Sequence, residues 1–288
     1  MIWHDIRDPQ DPVLDELATK YGLHPLHIED CRHRNQSAKL EAQSGYLFMV
    51  FKTMTMNDTF EVSTGDLDFF VGSDFLITVQ ETSCGPVSTM LDRTHALEER
   101  LRPDQLMHRI VDQLVDSYFP LLDQISDRMD TIEDDVIQCP EQNMLEQIFD
   151  LKRGLVEKRR VLVNTRDVIG HLLRNEYSVI QKDSIPFLRD VYDHVVRSLD
   201  NVEIHRDLLT STTELYLTSV ANRTNQVMKA LTVFGAVSTP ALVITGLYGM
   251  NLKYLPFADH PHSWGIVLTM IATVSGSVLL LLRKLRWL

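Results

Sequence analysis

The last sixty residues contain two long stretches without a charged side chain. Residues 230–252, ALTVFGAVSTPALVITGLYGMNL, lie between Lys229 and Lys253, and residues 264–282, WGIVLTMIATVSGSVLLLL, run into Arg283, Lys284 and Arg286. A bilayer core is crossed by about 20 predominantly apolar helical residues, and both stretches reach that length. The competing reading, two buried core helices of a soluble fold, sits badly with a second run that closes on a basic cluster. The sequence therefore predicts two transmembrane helices, joined by residues 253–263 and followed by a basic tail, 283–288.

Charge sets the expected orientation. Of the 40 acidic and 28 basic residues, only Asp259 and five bases lie beyond Met228, so residues 1–228 carry a net −16 and residues 229–288 a net +4. Arg223 and Lys229 precede the first span and three bases follow the second, which by the positive-inside rule puts both termini in the cytoplasm of an inner or plasma membrane. The polar N-terminus lacks the apolar stretch of a signal peptide, so the bulk of the chain is expected to stay where it is made. An acidic surface excludes nucleic-acid binding, which needs a basic one. Cys31, Cys84 and Cys139 are scattered and form no CxxC pair, which argues against a disulfide framework or a structural zinc site.

The rest reads as an α+β cytoplasmic domain, a mixed sheet with flanking helices. Within residues 1–100, Asp11-Pro12 opens a helix that Gly22 ends, and His24-Pro25 opens a second. Residues 46–54, 67–71 and 75–79 are rich in aromatic and β-branched side chains and predict neighbouring strands. Residues 101–186 are expected to form an antiparallel helical hairpin, one helix over 102–138 and one over 144–173, broken at Cys139-Pro140. From Phe187 no glycine occurs until Gly235 and no proline until Pro240. A stalk helix, 187–229, is thus predicted to continue into the first span, 230–252, with the second span over 264–282; about 60 residues at 1.5 Å each reach about 90 Å.

Two spans cannot enclose a water-filled path, so any conduction requires several copies around an axis. Stepping by three or four from Asn225 gives Met228, Leu231 or Thr232, Gly235, Thr239, Leu242 and Gly246, a narrow, mildly polar, uncharged face. Neutral oxygens cannot replace the octahedral shell of Mg²⁺, but they can hydrogen-bond the waters that a hydrated ion keeps. The other reading of such hydroxyls is bonding within the helix or small-residue packing.

The segment NQVMKALTVFGAVSTPALVITGLYGMN, ending in Gly249-Met250-Asn251, resembles the first membrane helix and signature of the CorA family of magnesium transport proteins. HPLHIED (24–30), LVDSYFPLLDQISDRMD from Leu114, FLRDVYDHV from Phe187 and the final KLRWL resemble it too, in order along the chain. The resemblance implies a homopentameric funnel in the lipid bilayer that is a passive, potential-driven channel for Mg²⁺, with Co²⁺ and Ni²⁺ as further ions, and that has no organic cofactor. It implies that Gly249, Met250 and Asn251 form the external mouth, and that Asn225, Met228 and Leu231 form the cytoplasmic pore and its constriction. It also implies regulatory Mg²⁺ between neighbouring cytoplasmic domains, on the carboxylate pair Asp30 and Asp190 with Glu29 and Asp112 as accessory ligands. Relatives commonly have Met and Thr where this chain has Thr239 and Leu242, and often have acids in the loop where this chain has Asp259 alone, beside His260 and His262.

Three further readings stay open from sequence. A zinc transporter of the same superfamily is disfavoured by the intact Gly-Met-Asn. A membrane-tethered enzyme finds no P-loop, GxGxxG, HExxH or GxSxG pattern to support it, and a structural scaffold would pass no current.

Overall fold

The computed structural model describes residues 1–33, 37–57, 60–96, 101–138, 143–250, 256–257, 261–285 and 287. Two compact units divide the chain at Glu214 and Leu215.

The first unit is built on a mixed five-stranded sheet in the order β1-β5-β4-β3-β2, with β1 (Ile2–Ile6), β2 (Lys39–Gln43), β3 (Tyr46–Met56), β4 (Val62–Gly72) and β5 (Phe75–Gln80). β1 runs parallel to β5 and the remaining neighbours are antiparallel. Phe48, Val50, Phe70, Ile77 and Val79 form a core with Leu14 and Leu17 of α1 (Val13–Tyr21) and Ile28 and Cys31 of α2 (Pro25–Arg32). The alternate residues Leu47, Met49, Phe51, Phe69, Val71 and Leu76 are also buried. They occupy the opposite face, against which α4 (Pro103–Asp116) and α6 (Met144–Arg174) pack. Burial on both faces is why the three central strands read as continuous apolar runs rather than as alternation. The two strands that the sequence did not announce, β1 and β2, are the sheet's edges, with largely polar or half-exposed side chains.

α1 begins one residue later than the Asp11-Pro12 signal suggests. Pro12 already has helical dihedrals, and the Asp11 carboxylate accepts from the Val13 N–H at 2.9 Å. Gly22 ends the helix at φ +64°, a left-handed conformation that only glycine adopts without strain. His24 caps α2 as expected, its Nδ1 accepting from the Leu26 N–H at 3.2 Å. α3 (Gly85–Ala96) lies beside α4.

The helix predicted over 102–138 is two helices. α4 stops at Asp116, and α5 (Phe119–Gln138) starts after Ser117-Tyr118. The periodicity crosses that break because both halves bury the same kind of stripe. Pro120 makes the break, having no N–H for the Asp116 carbonyl and crowding that turn with its ring. Tyr118, just before it, is fully buried, and its hydroxyl donates to the Lys52 carbonyl of β3 at 2.5 Å. α5 and α6 run antiparallel: Lys158, midway along α6, donates to the Leu121 carbonyl early in α5, and Arg128, midway along α5, donates to Gln147 near the start of α6. α7 (Ile185–Tyr248) is one helix of 64 residues. Its start is held by Asp104 of α4, whose carboxylate accepts from Ser184 Oγ at 2.7 Å and the Gln181 N–H at 3.0 Å.

The second unit holds the later part of α7 and α8 (Ser263–Lys284). Ser275 Oγ of α8 donates to the Val237 carbonyl of α7 at 3.0 Å. Pro240 lies inside α7 and, having no N–H, leaves the Ala236 carbonyl without its helical donor. Both helices are long and apolar enough to cross a membrane, and none of their most apolar stretch is buried by the chain.

Candidate metal sites and membrane helices

Three ligating atoms, one each from Asp112, Asp116 and His194, lie within 4.8 Å of one another. α4 presents its two carboxylates one turn apart on one face, and α7 brings His194 against them. His194 Nδ1 stands 3.8 Å from Asp116 Oδ1, and its Nε2 stands 3.9 Å from Asp190 Oδ2, one turn back on α7. The ring packs edge-on against Phe119. Burial raises the Asp112 carboxyl above the ordinary range; Asp116 and Asp190 push it the same way and His108 and His194 oppose them. Carboxylates crowded around an imidazole nitrogen are a donor set for a divalent cation.

Of the four predicted regulatory residues, the fold thus gathers Asp112 and Asp190 and adds Asp116 and His194. The last two went unassigned in the sequence reading, although the spacing of four in both pairs, 112 with 116 and 190 with 194, was a visible signal. Asp30 and Glu29 belong to a different place, on α2. Asp30 Oδ2 accepts from Lys39 Nζ at 2.7 Å. Glu29 lines a cleft of about 520 Å³ between α1 and α2, with Asp15, Thr19, Ile28, Arg32 and His33. The first unit of one chain therefore does not bring Asp30 and Asp190 into one cluster.

In the second unit, Asn225, Met228, Leu231, Thr239, Leu242 and Gly246 are exposed and Gly235 is half-exposed. Phe234 and Leu242 keep 73% and 70% of their surface open, as do Leu268 and Leu280 of α8 at 58% and 68%. Apolar surface of that extent has to be covered by lipid or by further protein. The Thr239 hydroxyl donates to the Gly235 carbonyl at 2.7 Å, and Thr232 and Thr245 do the same to Met228 and Ala241. With its proton committed to the backbone, each hydroxyl oxygen is left as an acceptor, which is what the outward-pointing protons of a hydrated cation require.

α7 ends where the signature begins. The Gly249 N–H donates to the Thr245 carbonyl at 2.9 Å and the Met250 N–H to Leu247 at 3.3 Å. A Cβ at Gly249 would stand 3.1 Å from the Thr245 oxygen, so the close turn favours glycine. The Tyr248 hydroxyl donates to the Pro256 carbonyl at 2.8 Å. Asn251 lies outside the described residues, as do Asp259 and His260.

Residues 1–284 match the family described as CorA-like Mg2+ transporter protein. The cobalt/magnesium transport protein CorA of Thermotoga maritima is 32% identical over 280 residues, covering 96% of this chain and 80% of that protein. Among solved structures, the complete CorA magnesium transporter from Methanocaldococcus jannaschii superposes with a TM-score of 0.88 at 22% identity, over 99% of this chain and 91% of that one. The full-length CmaX protein superposes at 0.79 and 21% identity, over 99% and 88%. The mixed sheet, the long helix and the apolar C-terminal helix are the fold shared with these structures. With the match running over nearly its whole length, the chain belongs to the CorA-like Mg²⁺ transporter family, membrane proteins that carry divalent cations and are not enzymes.

Proposed function

We propose that the chain assembles with itself, as a homopentamer, into a passive Mg²⁺ channel driven by the membrane potential, with both termini in the cytoplasm and Co²⁺ and Ni²⁺ as further permeant ions. The observation that carries this reading is the exposed, uncharged face of α7 from Asn225 to Gly246, whose threonine oxygens are left as acceptors. Around an axis such faces suit an ion that keeps its water. Asn251, with Gly249 and Met250, forms the outer mouth, and Met228 and Leu231 form an apolar constriction that conducts only when wetted.

Closure is by cytosolic Mg²⁺ held between subunits. Asp190 and Asp30 are its principal ligands, and Glu29 and Asp112 assist. The separation of Asp30 and Asp190 within one chain supports a site that two chains complete. Bound Mg²⁺ offsets the repulsion among facing carboxylates and ties subunits together; its loss loosens the ring. A ligand shifts such an equilibrium only by its differential affinity for the two states.

The test is Mg²⁺ entry into liposomes holding the purified protein, under an inside-negative voltage. Voltage-driven entry that stops when Mg²⁺ is supplied on the cytoplasmic face is expected. Zn²⁺ entry that exceeds Mg²⁺ entry and follows a pH gradient instead would favour the zinc transporter.

A further inference from the structure

The carboxylate of Asp30 already has a cation. Lys39 Nζ, at the start of β2, lies 2.7 Å from Asp30 Oδ2 and 2.9 Å from Glu41 Oε1, two residues along the same strand. The arrangement is partly sheltered, with side-chain exposures of 29% for Lys39, 22% for Asp30 and 45% for Glu41. Glu41 is itself fixed from behind. Its other oxygen, Oε2, lies 3.1 Å from His27 Nε2, and the buried His27 ring stacks on Phe48. Tyr46 OH accepts from the His24 N–H at 2.8 Å and lies 2.9 Å from His27 Nδ1. The Glu41 carboxylate can only accept, so the His27 ring donates to it from Nε2–H, and the neutral ring accepts from the Tyr46 hydroxyl at Nδ1. A rigid strand carboxylate and a helix carboxylate share one lysine.

We propose that Lys39 is a resident counter-ion that competes with the divalent cation for Asp30, and so sets the cation concentration at which the regulatory site fills. The proposal rests on the reading of Asp30 as a regulatory ligand. An ammonium in hydrogen-bond contact with a carboxylate neutralises the charge that a divalent cation needs, and two cations on one carboxylate repel. Glu41 gives the displaced ammonium a second anion within reach, so Lys39 releases Asp30 without losing its own partner. Site filling is therefore an exchange of one cation for another rather than binding to a bare carboxylate.

The experiment titrates Mg²⁺ against chymotrypsin digestion of the full-length protein in lipid nanodiscs. This protease does not cut after lysine, glutamine or arginine, so Lys39→Gln and Lys39→Arg keep the parent's cleavage sites, while Lys39→Met adds a slow one whose fragment is scored separately. Lys39→Gln and Lys39→Met, the second keeping an unbranched side chain of similar length, are expected to lower the half-protecting Mg²⁺ concentration roughly three- to tenfold. Lys39→Arg keeps the charge and stays within about twofold of the parent. Asp30→Asn raises the midpoint. If Asp30→Asn changes nothing, Asp30 is not the ligand and the exchange falls with it. If Asp30→Asn raises the midpoint while both neutral Lys39 variants leave it unchanged or raise it, Asp30 stands and the competition is refuted.

Discussion

His194 Nδ1, on α7, faces Asp116 Oδ1, on α4, across 3.8 Å. The nitrogen is buried and makes no hydrogen bond among the described residues. On its other side the same ring approaches Asp190. The imidazole thus links the ligand predicted from sequence to one that the fold supplies.

That relationship separates hard from borderline cations. Imidazole suits Co²⁺ far better than Mg²⁺, which asks for oxygen. His194→Ala is expected to raise the Co²⁺ concentration that half-protects the protein from proteolysis by about tenfold, and the Mg²⁺ concentration by less than about threefold. Equal shifts for the two ions would remove His194 from the donor set.

Asn251→Ala is expected to reduce Mg²⁺ uptake to background, at least about tenfold, because on the proposed arrangement the amides at the mouth receive the hydrated ion. Oligomer size in detergent and thermal stability should not change. Retained uptake in liposomes would move the selectivity step elsewhere on α7.

Asp190→Ala combined with Asp30→Ala should abolish most of the Mg²⁺-dependent protection and leave flux insensitive to internal Mg²⁺. The comparison is flux with and without Mg²⁺ on the cytoplasmic side. Full inhibition in the double variant would place the sensor outside these two carboxylates.

Lys158 provides a pH dependence with a definite sign. It is fully buried in α6, donating to the Leu121 carbonyl, and burial pushes its pKa down from 10.5 to about 8. Between about pH 8 and 10.5 the unfolded chain keeps a proton that the folded chain has lost, so stability rises with pH through that window. Below it the buried charge is a constant penalty of up to about 3 kcal/mol. Lys158→Met should therefore raise the apparent Tm at pH 7 and lose much of that advantage by pH 10. A Tm difference that does not vary with pH would show that the charge is not what burial penalises.

Much of this architecture was legible before any coordinates, for identifiable reasons. α7 announced itself through a glycine- and proline-free interval, and α8 through a charge-free run. β3, β4 and β5 stood out because burial on both faces leaves few polar residues, such as Lys52, Asp68 and Thr78, to dilute the signal. β1 and β2 were silent because an edge strand has little burial to encode. The break at Ser117-Tyr118 is marked in the sequence by Pro120, but the apolar periodicity that continues across it outweighs that single signal. Asp116 was passed over as one acid among forty, and its meaning depends on a histidine far along the chain. Asn225 to Gly246 could be placed on one face by arithmetic alone, whereas the commitment of the threonine protons to the backbone could not.

Pro240 removes one rung from the ladder of α7, next to Thr239 and two residues before Leu242. A rod yields most readily where a rung is missing, so bending of the first span is concentrated at that level. On the proposed arrangement, the bore around Thr239 and Leu242 is then the dimension that the assembly can alter with least effort, while the turns on either side hold their calibre.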